Sequence, residues 1–173
     1  MKKTTLFHYA AFFLLLVLLI TSCKKKDDPS AGNQDPAEFS IFNTWTCKNQ
    51  DMPTQSLRDN YSSMELIVKE DMSYSWKWVG KNGSNTVFTG YIGQNMSKYN
   101  YNGQPIWTIN VNVSQINGSP APGGWAGIYA SIDTRSFLLD VEPNVQGTSK
   151  FPSPSEGMGS GQSGNNAVYK FTR

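Results

Sequence analysis

The segment Trp107-Thr-Ile-Asn-Val-Asn-Val-Ser114 alternates without a break between apolar and polar residues. Trp107, Ile109, Val111 and Val113 fall on one face, and Thr108, Asn110, Asn112 and Ser114 on the other. Successive strand side chains point to opposite sides, so this pattern requires a strand with one dry and one wet face. Residues 73–78 repeat it, with Tyr74, Trp76 and Trp78 on one face. After Phe39 no helical period emerges. Alternating segments recur instead around Trp45 and at residues 64–69, 87–92, 98–101, 125–132, 136–141 and 167–172. Turn signals separate them: Glu70-Asp71, Asn82-Gly83 and Asn102-Gly103, the last two because Asn-Gly tolerates positive φ. The expected fold is all-β, an eight- to nine-stranded up-and-down antiparallel barrel. A β-sandwich is the alternative.

The first 38 residues do not belong to that domain. Lys2 and Lys3 precede an apolar run over residues 10–20, which is too short to span a bilayer as a helix and has the layout of a secretory signal. Ile20-Thr21-Ser22-Cys23 resembles a lipobox. That resemblance implies removal of residues 1–22 and acylation of Cys23, and two or more chains make a lasting anchor. Lys26-Asp27-Asp28 resembles the surface-export signal of lipoproteins in one large group of Gram-negative bacteria, and implies display at the outer face of the outer membrane. Residues 23–38 are rich in charge, Pro, Gly, Asn and Gln, and read as a flexible lipidated linker. The domain then runs over residues 39–173.

Without residues 1–22 the chain carries 13 basic and 13 acidic residues and no histidine. A neutral domain without a basic stripe lacks the electrostatic footprint for nucleic acid. The missing histidine removes the commonest general base and metal ligand. With Cys23 acylated, Cys47 has no disulfide partner and reads as a small buried hydrophobe. No metal and no cofactor are expected.

The strand carrying Trp45, the hairpin with Leu66, Asp71, Tyr74 and Trp76, the Thr89-Gly90-Tyr91 step and the final Val168-Tyr-Lys-Phe-Thr-Arg173 together resemble the small bacterial lipocalin-like lipoproteins. Asn43 stands where that family carries Gly in its Gly-x-Trp motif. The resemblance implies that Arg173 packs over Trp45 near the closed end of the barrel.

Three groups of residues are candidates for chemistry. Asp140 and Glu142 share one strand face. They are either a solvated pair or two carboxylates within the ~5–9.5 Å spacing of glycoside hydrolysis. Gly159-Ser-Gly-Gln-Ser-Gly164 fits Gly-x-Gly-x-x-Gly, but its Pro-Ser-Pro-Ser and Gly-rich surroundings read as a mobile loop, or a lid over the barrel mouth. Trp76, Trp78, Trp107, Ile109, Trp125 and Tyr129 either fill the barrel or line a ligand cavity. The leading expectation is a non-enzymatic, membrane-anchored lipocalin-like protein that binds a small apolar or amphipathic ligand. Its rivals are a β-sandwich module for glycans or proteins of a surface complex, and an enzyme using Asp140 and Glu142.

Overall fold

Alternating apolar residues close on themselves here. The computed structural model describes residues 38–144 and 150–173. Cys23, Lys26, Asp27 and Asp28, the signal segment 1–22 and all of the linker but Glu38 lie outside the described residues. Among those described, eight strands follow one another: β1 (Thr44–Lys48), β2 (Tyr61–Val68), β3 (Ser73–Gly80), β4 (Asn85–Tyr101), β5 (Gln104–Ile116), β6 (Ser119–Asp133), β7 (Ser136–Pro143) and β8 (Val168–Thr172). Each pairs antiparallel with the next, and β8 returns to β1, closing an up-and-down barrel compatible with a lipocalin-like fold. Closure excludes the sandwich, which would keep β1 and β8 in separate sheets. The seam is short, with Thr46 opposite Thr172 as its register pair.

We call the end where β1 starts and β8 stops the upper end. The turns β2–β3, β4–β5 and β6–β7 lie there, and β3–β4 and β5–β6 at the lower end. Asn102-Gly103 and Asn117-Gly118 take positive φ at both positions (50° and 81°; 51° and 79°), the geometry that matches hairpin twist. At Asn82-Gly83 only Gly83 does so. Asn82 instead accepts the backbone N–H and the hydroxyl of Ser84.

The nine-strand option fails at β4, which runs unbroken through both segments read from the sequence. Among the described residues there is also one six-residue α-helix, α1 (Gln55–Asn60), at the lower end between β1 and β2. Thr54 caps it by accepting the Leu57 N–H at 3.1 Å. Under two turns long, it shows no period in the sequence.

The inward rows of all eight strands form the core. Trp45 and Cys47 from β1, Leu66 from β2, Trp76 from β3, Phe137 from β7 and Phe171 from β8 are among its buried members. Burial pushes the Cys47 thiol up to about 12, so it is an inert apolar filler. Arg173 lies over the Trp45 ring with its guanidinium carbon 5.4 Å from the centroid. Its backbone N–H and Nε–H donate to Arg135 O and Thr134 O in the β6–β7 turn. The Trp45 indole N–H donates to Ile41 O at 2.8 Å.

Candidate functional site

The six aromatic and apolar residues picked from the sequence separate into two groups. In the lower half Trp76 meets Trp78 at 5.5 Å and Trp125 at 5.3 Å, edge to face, and Phe88 lies 5.3 Å from Trp78 and 5.2 Å from Trp125. Tyr169 and Phe171 close against Trp76 from β8. Ile109 is buried in the same continuous core. These rings pack against one another, and the indole N–H groups of Trp76 and Trp78 are buried without a hydrogen-bond partner. Trp76, Trp78, Phe88 and Trp125 thus form one packed aromatic cluster.

Trp107 and Tyr129 belong to the upper half and to a different environment. Their rings lie parallel and offset, with centroids 6.0 Å apart and planes at 11°. Both line a cavity of ≈ 290 Å³ at the barrel's upper end, together with Phe39, Ile41 and Phe42 from the segment before β1. Gln94, Gln104 and Ser131 supply its polar wall. The Tyr129 hydroxyl donates to Gln94 Oε1 at 2.5 Å, and Ser131 Oγ makes a longer contact of 3.5 Å with Gln104 Oε1. Burial holds the Tyr129 phenol above its ordinary value, so it remains a donor at neutral pH. Both carboxamide oxygens accept from hydroxyls, which leaves both NH₂ groups as donors. Glu38 is the one charged residue of the lining.

Phe39 sits between this cavity and Trp45, 6.4 Å from Tyr129 and 5.6 Å from Trp45. Trp45 and Arg173 therefore mark the end that carries the cavity.

Asp140 and Glu142 are not solvated. They point outward from β7, yet Asp140 is 0% and Glu142 4% exposed. The segment 151–166, taken from its sequence as a mobile loop or lid, lies across the outer wall of the barrel and covers them. Gly159 N–H donates to Asp140 Oδ2 at 2.7 Å. The Ser163 N–H donates to Glu142 Oε1, and its hydroxyl to Glu142 Oε2. Met158 packs on Ile106, Ile128 and Ala130, an outward-facing apolar patch of β5 and β6. Burial pushes the Asp140 carboxyl up to about 6, against the Gly159 N–H; the Glu142 charge adds a smaller push upward. A Cβ on Gly161 would stand 2.9 Å from Glu142 Oε1 and 3.0 Å from Pro152. The strap leaves no room there for a sugar, which argues against glycoside hydrolysis by this pair. The Gly-x-Gly-x-x-Gly run gives the N–H groups of Gly159 and Ser163 to these carboxylates and leads into a short 3₁₀ turn (Gly164–Ala167), not into the helix that a phosphate cradle needs. Among the described residues, no group of three or more His, Cys, Asp or Glu side chains could hold a metal ion.

The sequence reading found Trp107 and Tyr129 but missed Phe39, Ile41, Phe42, Gln94, Gln104 and Ser131. The Phe39-Ser-Ile-Phe42 cluster was the available signal, since three apolar side chains at a domain's edge need cover. No family model, curated protein or solved structure matches this chain.

Proposed function

We propose that the protein is a lipid-anchored, lipocalin-like binding protein of the outer membrane, displayed at the cell surface, which holds one small, neutral, ring-bearing amphipathic ligand at the upper mouth of its barrel and catalyses no reaction. The observation that carries the reading is the Trp107–Tyr129 stack facing a cavity whose polar wall offers carboxamide donors. Flat aromatic walls suit a flat ring, and a few placed polar groups fix its orientation. At ≈ 290 Å³ the cavity lies just under the about 300–1,000 Å³ usual for ligand pockets. A single or fused ring is the fitting size, and a long acyl chain is not. Acceptor atoms on the ring's edge would meet the amides of Gln94 and Gln104. The anchor rests on Ile20-Thr21-Ser22-Cys23, and surface display on Lys26-Asp27-Asp28. Burial of Asp140 and Glu142 under the strap favours binding over the enzyme reading.

The test is a titration of the detergent-solubilised full chain with 2-naphthol, a neutral bicyclic ring bearing one hydroxyl. Saturable quenching of tryptophan fluorescence is expected, with Trp107→Ala weakening it at least tenfold. A folded protein that shows no saturable quenching would overturn the reading.

A further inference from the structure

Charge is distributed very unevenly over this chain. Across residues 82–132, which hold β4, β5 and nearly all of β6, the only charged side chain is Lys98. The other walls are ordinary: Glu65 of β2 pairs in register with Lys77 of β3, both outward. Solvated surfaces of small domains are usually about 25–35% charged, which keeps them soluble and keeps sheets apart. A bare wall of that extent has given up this protection.

What stands there instead is a lattice of amides and hydroxyls around the exposed Tyr91 ring. Tyr91 on β4 is 60% exposed. It pairs in register with Asn112 of β5 on one side and Ser73 of β3 on the other. The next rows are Gly93 opposite Asn110 and Asn95 opposite Thr108, with Thr89 between Ser75 and Gln115. Strands stand about 4.8 Å apart, and same-face residues along a strand about 6.6 Å, so these groups form a grid of neutral donors and acceptors. Gly93 has no side chain, and a Cβ there would meet only Asn110 Cβ at 3.9 Å, so that side of the Tyr91 ring is open. Where β4 and β5 are bulged, at Thr89/Gly90 and Val113/Gln115, the wall is dented. The dent is a groove of ≈ 380 Å³ lined by Tyr91, Ser75, Thr89, Ser114 and Gln115, with Lys69 its one charged residue.

We propose that this outer wall of β4 and β5 binds a neutral polysaccharide. Charge complementarity selects that occupant. An anionic polymer needs a row of cations, which is missing here. A protein partner is held by buried clusters of Trp, Tyr and Arg, whereas the exposed Tyr91 stands among Asn, Ser, Thr and Gln side chains, with the exposed Met96 and Tyr99 further along β4 toward the upper end. A chain of uncharged sugars presents hydroxyls to match the Asn, Ser and Thr grid, and an apolar ring face to lie on Tyr91. The wall is separate from the cavity at the upper end, so the two sites act independently.

The experiment is affinity electrophoresis of the detergent-solubilised full chain in gels containing dextran, galactomannan or xylan, with polygalacturonate as the acidic control. Retardation by at least one neutral polymer is expected, and none by polygalacturonate. Tyr91→Ala should reduce the apparent affinity at least fivefold. Asn112→Asp, which keeps the size and adds a charge, should do the same, and Trp107→Ala in the cavity should leave it unchanged. Circular dichroism confirms that each variant folds. The proposal is overturned if no neutral polymer retards the protein, if Tyr91→Ala and Asn112→Asp are retarded like the wild type, or if sedimentation shows that this wall joins two copies of the chain.

Discussion

Replacing Asp140 by Asn should stabilise the protein at neutral pH and remove a slope from its stability curve. Asp140 has no exposed surface, its Oδ1 has no hydrogen-bond partner, and its second oxygen accepts the Gly159 N–H. Desolvation lifts its carboxyl from the ordinary 3.8 to about 6. Between these values the folded chain holds a proton that the unfolded chain has released. A raised acid adds stability that is complete below pH 3.8 and lost as pH climbs through about 6. At about 1.4 kcal/mol per pH unit, the loss comes to about 3 kcal/mol. Asparagine keeps the acceptor for Gly159 and never ionises. The difference in unfolding free energy between Asp140→Asn and wild type should therefore grow by about 3 kcal/mol from about pH 3 to about pH 7.5, then stay level. Asp71 and Asp133 titrate in the opposite sense, held low by hydrogen bonds from Ser73 and Arg135 respectively, and cancel in that difference. Urea unfolding of both proteins at half-unit pH steps measures it. A difference that does not vary with pH would refute the buried-carboxylate argument and, with it, the placement of the strap on the barrel wall.

Trp45→Ala should cost about 3–5 kcal/mol, the range for a large aromatic lost from a core, and Arg173→Ala about 1 kcal/mol. A double-mutant cycle by urea unfolding should return a coupling of about 0.5 kcal/mol or more, and strict additivity would mean that the two side chains do not touch. Cys23→Ala should block acylation and processing, read by metabolic labelling with palmitate. Changing Asp27 and Asp28 to Ala should leave the protein anchored but shielded from protease added to intact cells, and equal digestion of variant and wild type would contradict surface export.

The barrel was legible wherever a strand has one dry and one wet face. β5 is the clearest case, because its inward Ile109, Val111 and Val113 alternate with exposed Asn110, Asn112 and Ser114. β4 was harder to read. Past Gln94 it runs on into the hairpin with β5, where Met96 is 63% exposed and no apolar row marks the inner face. The Asn117-Gly118 turn was missed because Pro120, Pro122, Gly123 and Gly124 follow it and mask the start of β6. The burial of Asp140 and Glu142 was not legible, since their cover comes from Gly159 and Ser163 in a stretch whose composition suggests no structure. The same limit hid the cavity. Trp107 and Tyr129 stand out as aromatics, whereas Gln94, Gln104 and Ser131 become a polar wall only once three strands and the segment before β1 meet.

Native mass spectrometry of the full chain, purified in detergent from its own host, tests the central claim most directly. The account predicts one bound small molecule that is neutral and ring-bearing, retained by Tyr91→Ala and lost from Trp107→Ala. A folded wild type that carries no small molecule, or one that Trp107→Ala holds equally well, would contradict a ligand site at the barrel mouth.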